Sequence, residues 1–349
     1  MTDAIRAINP EDIPRLSRFL TGAFGVPPDA TFAAPEVLSW KLFDPMGGPA
    51  DWPSGLVAET DGQIVGSISL HPTVIHQTGP SADPIGIPAI HPIDWVVSEA
   101  GKGMGARLLM RVHRLAKVHL AIGLTPSSAA MGNRTGYVIR QRIPVWRRLL
   151  VPWYRLRNQG GGGWARRLLG TARDAVGLAR PRRSPTLPID LEPVAEFGSD
   201  AEQVVGRLAM PLCFTRRDPV VLNHFLRFPR PWFEGRMIHR GGSARGFLML
   251  SVVPQPSVTR GTIVDCFLDD PDPDLWLASI RAATEELRRR GADVAECFAT
   301  TPWITEALRD SGYRPVFDIP FYVRDRSGLL PPADVPWHLT QLEADYAYT

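Results

Sequence analysis

The chain has 349 residues, 44% of them apolar and 21% charged, and a formal net charge of +3. Such a length buries a sizeable core, and the composition excludes wholesale disorder and a coiled coil. No apolar run reaches the roughly 18 residues of a membrane span, and the 31 glycines and 34 prolines follow no collagen-like period, so they imply many turns.

The opening Met1-Thr2-Asp3-Ala4-Ile5-Arg6 lacks the basic-then-apolar pattern of a secretory leader. Cys213, Cys266 and Cys297 are far apart, which argues against a disulfide framework or a cysteine zinc site. The expected compartment is the cytoplasm, and no metal site is expected.

In chain order, a strand and a helix lead to Pro35-Glu36-Val37-Leu38-Ser39-Trp40-Lys41-Leu42-Phe43-Asp44-Pro45, a short helix stopped by proline. Gly55 and Gly66 then bracket a hairpin with Asp61-Gly62 at its turn. A strand from Ile90 to Ser98 runs into Glu99-Ala100-Gly101-Lys102-Gly103-Met104-Gly105-Ala106. The helix beyond carries Met104, Leu108, Val112 and Leu115 on its apolar face, and His113, Arg114 and Lys117 in its last turn. A strand over Leu120–Leu124 and a short helix lead to Gly136-Tyr137.

Residues 134–183 hold thirteen arginines and one acid, Asp174, a charge of +12 that leaves −9 for the rest. Gly160 to Gly163 and Arg180-Pro181-Arg182-Arg183-Ser184-Pro185 mark a linker over 150–187. Within it, Trp164 to Ala179 can wind into an amphipathic helix with Arg166, Arg167 and Arg173 largely off the apolar side. Basic residues among tryptophans, over 144–183, fit an anionic membrane surface. They also fit an acidic ligand or nucleic acid, which is less favoured. The plain alternative is a packed helix with solvated arginines.

Past the linker the first pattern returns. Pro219-Val220-Val221-Leu222-Asn223-His224-Phe225-Leu226-Arg227-Phe228-Pro229 matches the segment from Pro35 at five of eleven positions. Gly235 and Gly246 bracket Gly241-Gly242, Val264-Asp265-Cys266-Phe267-Leu268 answers Ile93-Asp94-Trp95-Val96-Val97, and Gly312-Tyr313 answers Gly136-Tyr137. Two copies of one mixed α/β unit explain the order.

The stretch Gly101 to Ala106 carries the chemistry. Glycines permit close approach and unusual backbone angles, and free N–H groups at a helix start bind anions, phosphate above all. A P-loop would need Ser or Thr after Lys102, and a dinucleotide fingerprint needs different glycine spacing. A glycine turn without a ligand is the plain alternative.

Strand, loop and helix, with the element order, resemble the GNAT N-acetyltransferase superfamily, whose pyrophosphate loop is written Q/R-x-x-G-x-G/A. Gly103 and Gly105 match its glycines; the Gln/Arg position falls on Ala100, a departure that leaves the main-chain cradle. The resemblance implies an α/β fold (α+β mixed sheet) of two tandem GNAT-like acyl-CoA N-acyltransferase domains. These are 1–149 with the loop and 188–330 without it, joined by the linker 150–187 and followed by a C-terminal tail, 331–349. It also implies acetyl-CoA or another acyl-CoA as co-substrate, held by Val96, Val97, Ser98, Gly101, Lys102, Gly103, Met104, Gly105 and Ala106. In the second copy the corresponding stretch, Leu268-Asp269-Asp270-Pro271-Asp272-Pro273-Asp274, is acidic and should repel a pyrophosphate.

Acyl transfer to an amine needs a base, an oxyanion donor and an acid for the leaving thiol. The resemblance implies an N–H of Val97 or its neighbour as the oxyanion donor, and the place of the family's carboxylate base falls near His91. Histidine suits that role at neutral pH; a structural role is the alternative. His71, before Pro72, is a further candidate. Asp94 falls on the strand face opposite His91 by period two, and its repeat partner Asp265 favours a structural role for both. The family's tyrosine acid would fall at Gly132 and is missing; Tyr137 is a candidate whose plainer role is packing. Together these imply an acyl-CoA-dependent N-acyltransferase acting on an amine-bearing small molecule or polymer, cytoplasmic, with peripheral contact at the inner membrane surface as a further expectation. The rivals are an aminoacyl-tRNA-dependent transferase of paired GNAT-like domains and a non-catalytic binding protein on the same fold.

Overall fold

The structure, a computed structural model, describes residues 4–44, 49, 51–79, 85–152, 154, 187–208, 210–343 and 347–348. Its first half runs β1 (Ala4–Ala7), α1 (Ile13–Phe24), α2 (Pro35–Phe43), β2 (Gly55–Thr60), β3 (Gln63–Thr78), β4 (Ile85–Val97), α3 (Met104–Val112), β5 (Val118–Ile122), α4 (Pro126–Thr135) and β6 (Val138–Leu149). The second runs β7 (Asp190–Val194), α5 (Ser199–Gly206), β8 (Leu212–Thr215), α6 (Pro219–Leu226), β9 (Phe233–Arg240), β10 (Ser243–Pro254), β11 (Thr259–Leu268), α7 (Pro273–Arg289), β12 (Val294–Phe298), α8 (Pro302–Asp310), β13 (Arg314–Asp325) and β14 (Trp337–His338). The same order is traversed twice, with β8 and β14 added in the second half. The two hairpin turns follow from sequence: Asp61 and Gly62 (φ 49° and 77°) and Gly241 and Gly242 (φ 57° and 78°) both take the left-handed pair that a two-residue hairpin needs.

One mixed sheet carries both halves, in the order β1-β2-β3-β4-β5-β13-β6-β12-β11-β10-β9-β7. The halves exchange their last strands. β13 pairs antiparallel with β5 of the first half, β6 pairs antiparallel with β12 of the second, and β6 and β13 pair with each other at the centre. The chain boundaries at 149 and 188 are therefore not boundaries in space.

The repeated helices α2 and α6 meet face to face. Trp40 stacks on its repeat partner His224 at 4.2 Å, and its Nε1 donates to the His224 carbonyl at 2.8 Å. Trp337, Leu339 and Tyr348, in the expected C-terminal tail, are core, each no more than 1% exposed. Trp337 and Leu339 pack with strands of both halves, and Tyr348 packs with Trp40 and Phe228. Buried Arg217 ties this segment down by donating to Glu343, Thr340 and Asp265.

Two expectations change. The helix α3 ends at Val112, so His113, Arg114 and Lys117 lie beyond its last turn, and burial holds the His113 ring down to about 3, uncharged at neutral pH. Five of the thirteen arginines, Arg134, Arg140, Arg142, Arg147 and Arg148, lie in α4 and β6, so Arg147 and Arg148 of the basic stretch 144–183 belong to the sheet. Arg147 is committed to Glu296, and Arg140 donates to the carbonyls of Pro331 and Pro332. The amphipathic stretch Trp164–Ala179 lies outside the described residues. Among the described residues no helix is long and apolar enough to cross a membrane.

Candidate active site

The parallel strands β4 and β5 pair only at Ala89–Val118 and Ile90–His119, and then part. Beyond that point β5 goes on pairing with β13, while β4 follows β3. A cavity of about 340 Å³ opens in the gap, lined by His91 to Trp95 on one side and Ala121 to Thr125 on the other. Phe24, Phe32, Leu109 and Tyr137 close it with apolar surface.

The glycine loop sits beside this gap, at the start of α3. Gly101 is there for packing: a Cβ would stand 2.3 Å from the Val65 carbonyl oxygen. Ser98 is tied down at the same carbonyl through its N–H, and Val97 contacts the position a Gly105 Cβ would take. Gly103 caps α3 at φ +92°, a conformation L side chains resist, and nothing lies within 4 Å of its missing Cβ. Met104 points inward, whereas Lys102 and Gly103 are exposed. A Gly105 Cβ would lie 3.6 Å from Nε1 of Trp95, which lines the cavity, so the first-turn N–H groups of α3 and the gap adjoin. These N–H groups have no partner within their own helix, which is the property an anion site uses. Val96 turns to the other side, against the core under α1.

His91 is buried and stands where two cavities meet. It lines the gap and also a second cavity of about 40 Å³, shared with His71, Thr215, Arg216 and Glu343. That space lies between the halves: β8 of the second half pairs with β3 through Ile75–Thr215. Burial lowers His91 to about 4, against a hydrogen bond to the Glu343 main chain that works the other way, so the ring is neutral at pH 7. His71 stands directly opposite His91 in the β3–β4 register. Burial, and then the neighbouring His91 and Lys41, hold it well below the usual histidine range.

Asp94 departs from its expected place. A β-bulge at Asp94–Trp95, with Asp94 at φ +49°, breaks the two-residue alternation, and Asp94 lines the same gap as His91. Its carboxylate accepts from buried Lys41 at 2.8 Å and from Ser69 at 3.2 Å. Asp265 makes the matching buried pair with Arg217. Tyr137 lines the gap beside Gly132, but its hydroxyl is buried with no hydrogen-bond partner among the described residues, its ring lies near those of His113 and His119, and burial pushes it up beyond the ordinary phenol range. Its counterpart Tyr313 bonds Thr284 instead. Sequence reasoning missed Lys41, Thr215 and Glu343. A lysine among Trp40, Leu42 and Phe43, in a chain of three lysines, was the available signal for Lys41.

No protein-family model matches the chain, and no curated protein matches it. Solved structures do. A GCN5-related N-acetyltransferase from Anabaena variabilis superposes with a TM-score of 0.61 at 11% identity, over 93% of this chain and 73% of that one. The N-myristoyltransferase of Saccharomyces cerevisiae, with bound myristoyl-CoA, superposes at 0.56 and 13% identity, over 93% of this chain and 82% of that one. A second structure of that enzyme with myristoyl-CoA reaches 0.57 over 98% of this chain and 83% of that one, again at 13% identity. The chain has the GNAT fold.

The two halves differ at the starts of α3 and α7. Where α3 begins with glycines, α7 is capped by its own acid: the Asp272 carboxylate accepts from the Asp274 N–H at 2.9 Å. Asp269 pairs with Arg207 and Arg245, Asp270 with Arg245, and Asp272 with Arg240. That helix start is occupied by the protein's own charges; among the described residues no carboxylate caps the glycine-rich start of α3.

Proposed function

We propose that this protein is an acyl-CoA-dependent N-acyltransferase whose first copy alone holds CoA. The observation that carries the reading is the gap between β4 and β5. It has a glycine-rich helix start at one end and a neutral buried histidine at the other. In this reading the N–H groups from Gly103 to Ala106 take the pyrophosphate, and the gap takes the pantetheine arm and acyl group. The amine comes from the side of the small inter-half cavity. Its nitrogen attacks the thioester carbon, the N–H of Val97 or its neighbour stabilises the oxyanion, and His91 accepts the proton. The carbon–sulfur bond then breaks, and the thiolate takes a proton from water or from the His91 imidazolium. No step is assigned to Tyr137, whose hydroxyl is held by burial in the neutral phenol form.

Calorimetry with CoA, acetyl-CoA and myristoyl-CoA tests the reading. One equivalent bound per chain is expected, and the acyl series reads out chain length. A stoichiometry of two, or no binding of any of the three, overturns it. The acidic second loop supports a count of one. For the arginines at 155–183, outside the described residues, the +12 charge of residues 134–183 supports contact with an anionic membrane surface. Salt-sensitive co-sedimentation with anionic but not neutral vesicles is the expected result. Preference for RNA instead would favour a tRNA-dependent transferase.

A further inference from the structure

The small cavity between the halves contains more than a base requires. Its volume of about 40 Å³ has room for roughly three waters, so it admits an amine head and its first carbon but not a ring. Two imidazoles face it, His71 and His91, held opposite each other by the β3–β4 register. Directly opposed residues on one sheet face have Cβ atoms about 5 Å apart. The two rings differ in their commitments. His91 has the Glu343 main chain beside it as a partner. His71 Nε2 is buried and has no hydrogen-bond partner among the described residues. Unsatisfied buried nitrogens are uncommon and call for a specific reason.

The charges around the cavity are already matched. Arg216 is paired with Asp218, Arg217 with Asp265 and Glu343, and Lys41 with Asp94. Among the described residues lining it, the buried side-chain nitrogen without a partner is His71 Nε2. A neutral primary amine attacking a carbonyl directs its lone pair at the carbon and has two N–H bonds left over. A hydroxyl or a secondary amine has one.

We propose that His71 and His91 form a two-acceptor clamp that selects a primary amine, His91 taking the proton and His71 Nε2 holding the second N–H. This rests on the acyltransferase reading above and adds a specificity residue to it. With its proton on Nδ1, His71 presents Nε2 as the acceptor. As the C–N bond forms, one N–H proton passes to His91; the other stays on nitrogen, bonded to His71, and leaves as the amide N–H. His71 is thus a positioning residue. A substrate with a single N–H or O–H would leave Nε2 unpaired in a buried site, a penalty that translates to roughly ten- to a hundredfold in rate.

The test uses the full chain saturated with CoA. Imidazole nitrogen resonances are followed during titration with n-butylamine, N-methylbutylamine or butan-1-ol, and acetyl-CoA turnover is measured with the same three. The expected result is a shift of both His71 and His91 with n-butylamine, a His71 Nε2 that is not protonated, and a primary-to-secondary preference of at least about tenfold. His71→Phe should bring that preference toward unity, whereas His71→Gln, which keeps an acceptor at the same reach, should retain it. If CoA binds but n-butylamine leaves the His71 resonance unmoved, or if His71→Phe keeps the preference, the clamp is wrong and the acyltransferase reading stands. If CoA does not bind, that reading fails first, and calorimetry shows it separately.

Discussion

Gly105→Asp separates ligand binding from folding because it should move them in opposite directions. Gly105 is the second residue of α3, after the Gly103 cap and Met104. A Cβ there would sit 3.5 Å from Val97 and 3.6 Å from Trp95, ordinary contact distances. A carboxylate in the first turn of a helix gains about 0.3–1 kcal/mol from the helix dipole, and replacing a helical glycine adds a few tenths more. The melting temperature should therefore rise by about 1–3 °C. The same carboxylate would face the pyrophosphate. At about 5 Å, two negative charges repel it by roughly 1.7 kcal/mol even at the dielectric of water, and by several times that in a partly enclosed site. CoA affinity should fall at least about tenfold, and by as much as a thousandfold. Gly103→Asp is a poorer probe, because φ +92° would itself destabilise the variant. Thermal melting and calorimetry on the same preparation supply both readouts. A folded Gly105→Asp protein that melts no lower than wild type, yet binds CoA with wild-type affinity, would refute the anion-site assignment.

Three further outcomes follow from the same geometry. His91→Gln should lower the acylation rate by about 10²–10⁴-fold while leaving CoA binding intact; a change under threefold would make His91 structural. Buried His91, His119 and His224 are each held down to about 4 by desolvation. Between there and the usual 6.5 the unfolded chain binds more protons than the native one, so stability falls as pH falls across that window. Together the three rings set a slope of about 4 kcal/mol per pH unit near pH 5; denaturant midpoints that stay flat from pH 6.5 to 5 would contradict it. Arg217→Ala leaves Asp265 and Glu343 as buried carboxylates without their cation and should cost about 3–5 kcal/mol, read as a lower urea midpoint; an unchanged midpoint would mean the network is not holding the C-terminal segment.

Much of the local structure was written in short motifs. The Asp61-Gly62 and Gly241-Gly242 turns, the proline-started helices α2 and α6, and the glycine loop before α3 depend on neighbours in sequence, and they formed where the residues indicated. Asp94 and Asp265, which the sequence alignment sets against each other, both stand in buried ion pairs. The bulge at Asp94 was not legible, because alternation presumes a regular strand. The exchange of β6 and β13, the stacking of Trp40 on His224, and the arrival of Glu343 beside His91 are matters of which distant segments meet. Nothing in the sequence of 331–349 marks Trp337, Leu339 and Tyr348 as core; its apolar residues are spread among prolines and acids, and packing against distant strands and against Trp40 and Phe228 is what buries these three.

The exchanged strands also set a timetable for synthesis. β5 cannot gain its antiparallel neighbour until β13 exists, and β6 cannot gain β12 or β13 until the second half is made. From Leu149 at the end of β6 to Asp325 at the end of β13 is 325 − 149 = 176 residues. At roughly 5–20 residues per second, the nascent first half waits about 9–35 s with an open edge at β5. An unpaired edge is a template for wrong partners, including the same edge on a neighbouring nascent chain. The gap between β4 and β5, bounded by that edge, is therefore completed only when almost the whole chain has emerged. Slow translation or a stall late in the message should raise aggregation rather than release a half-active fragment.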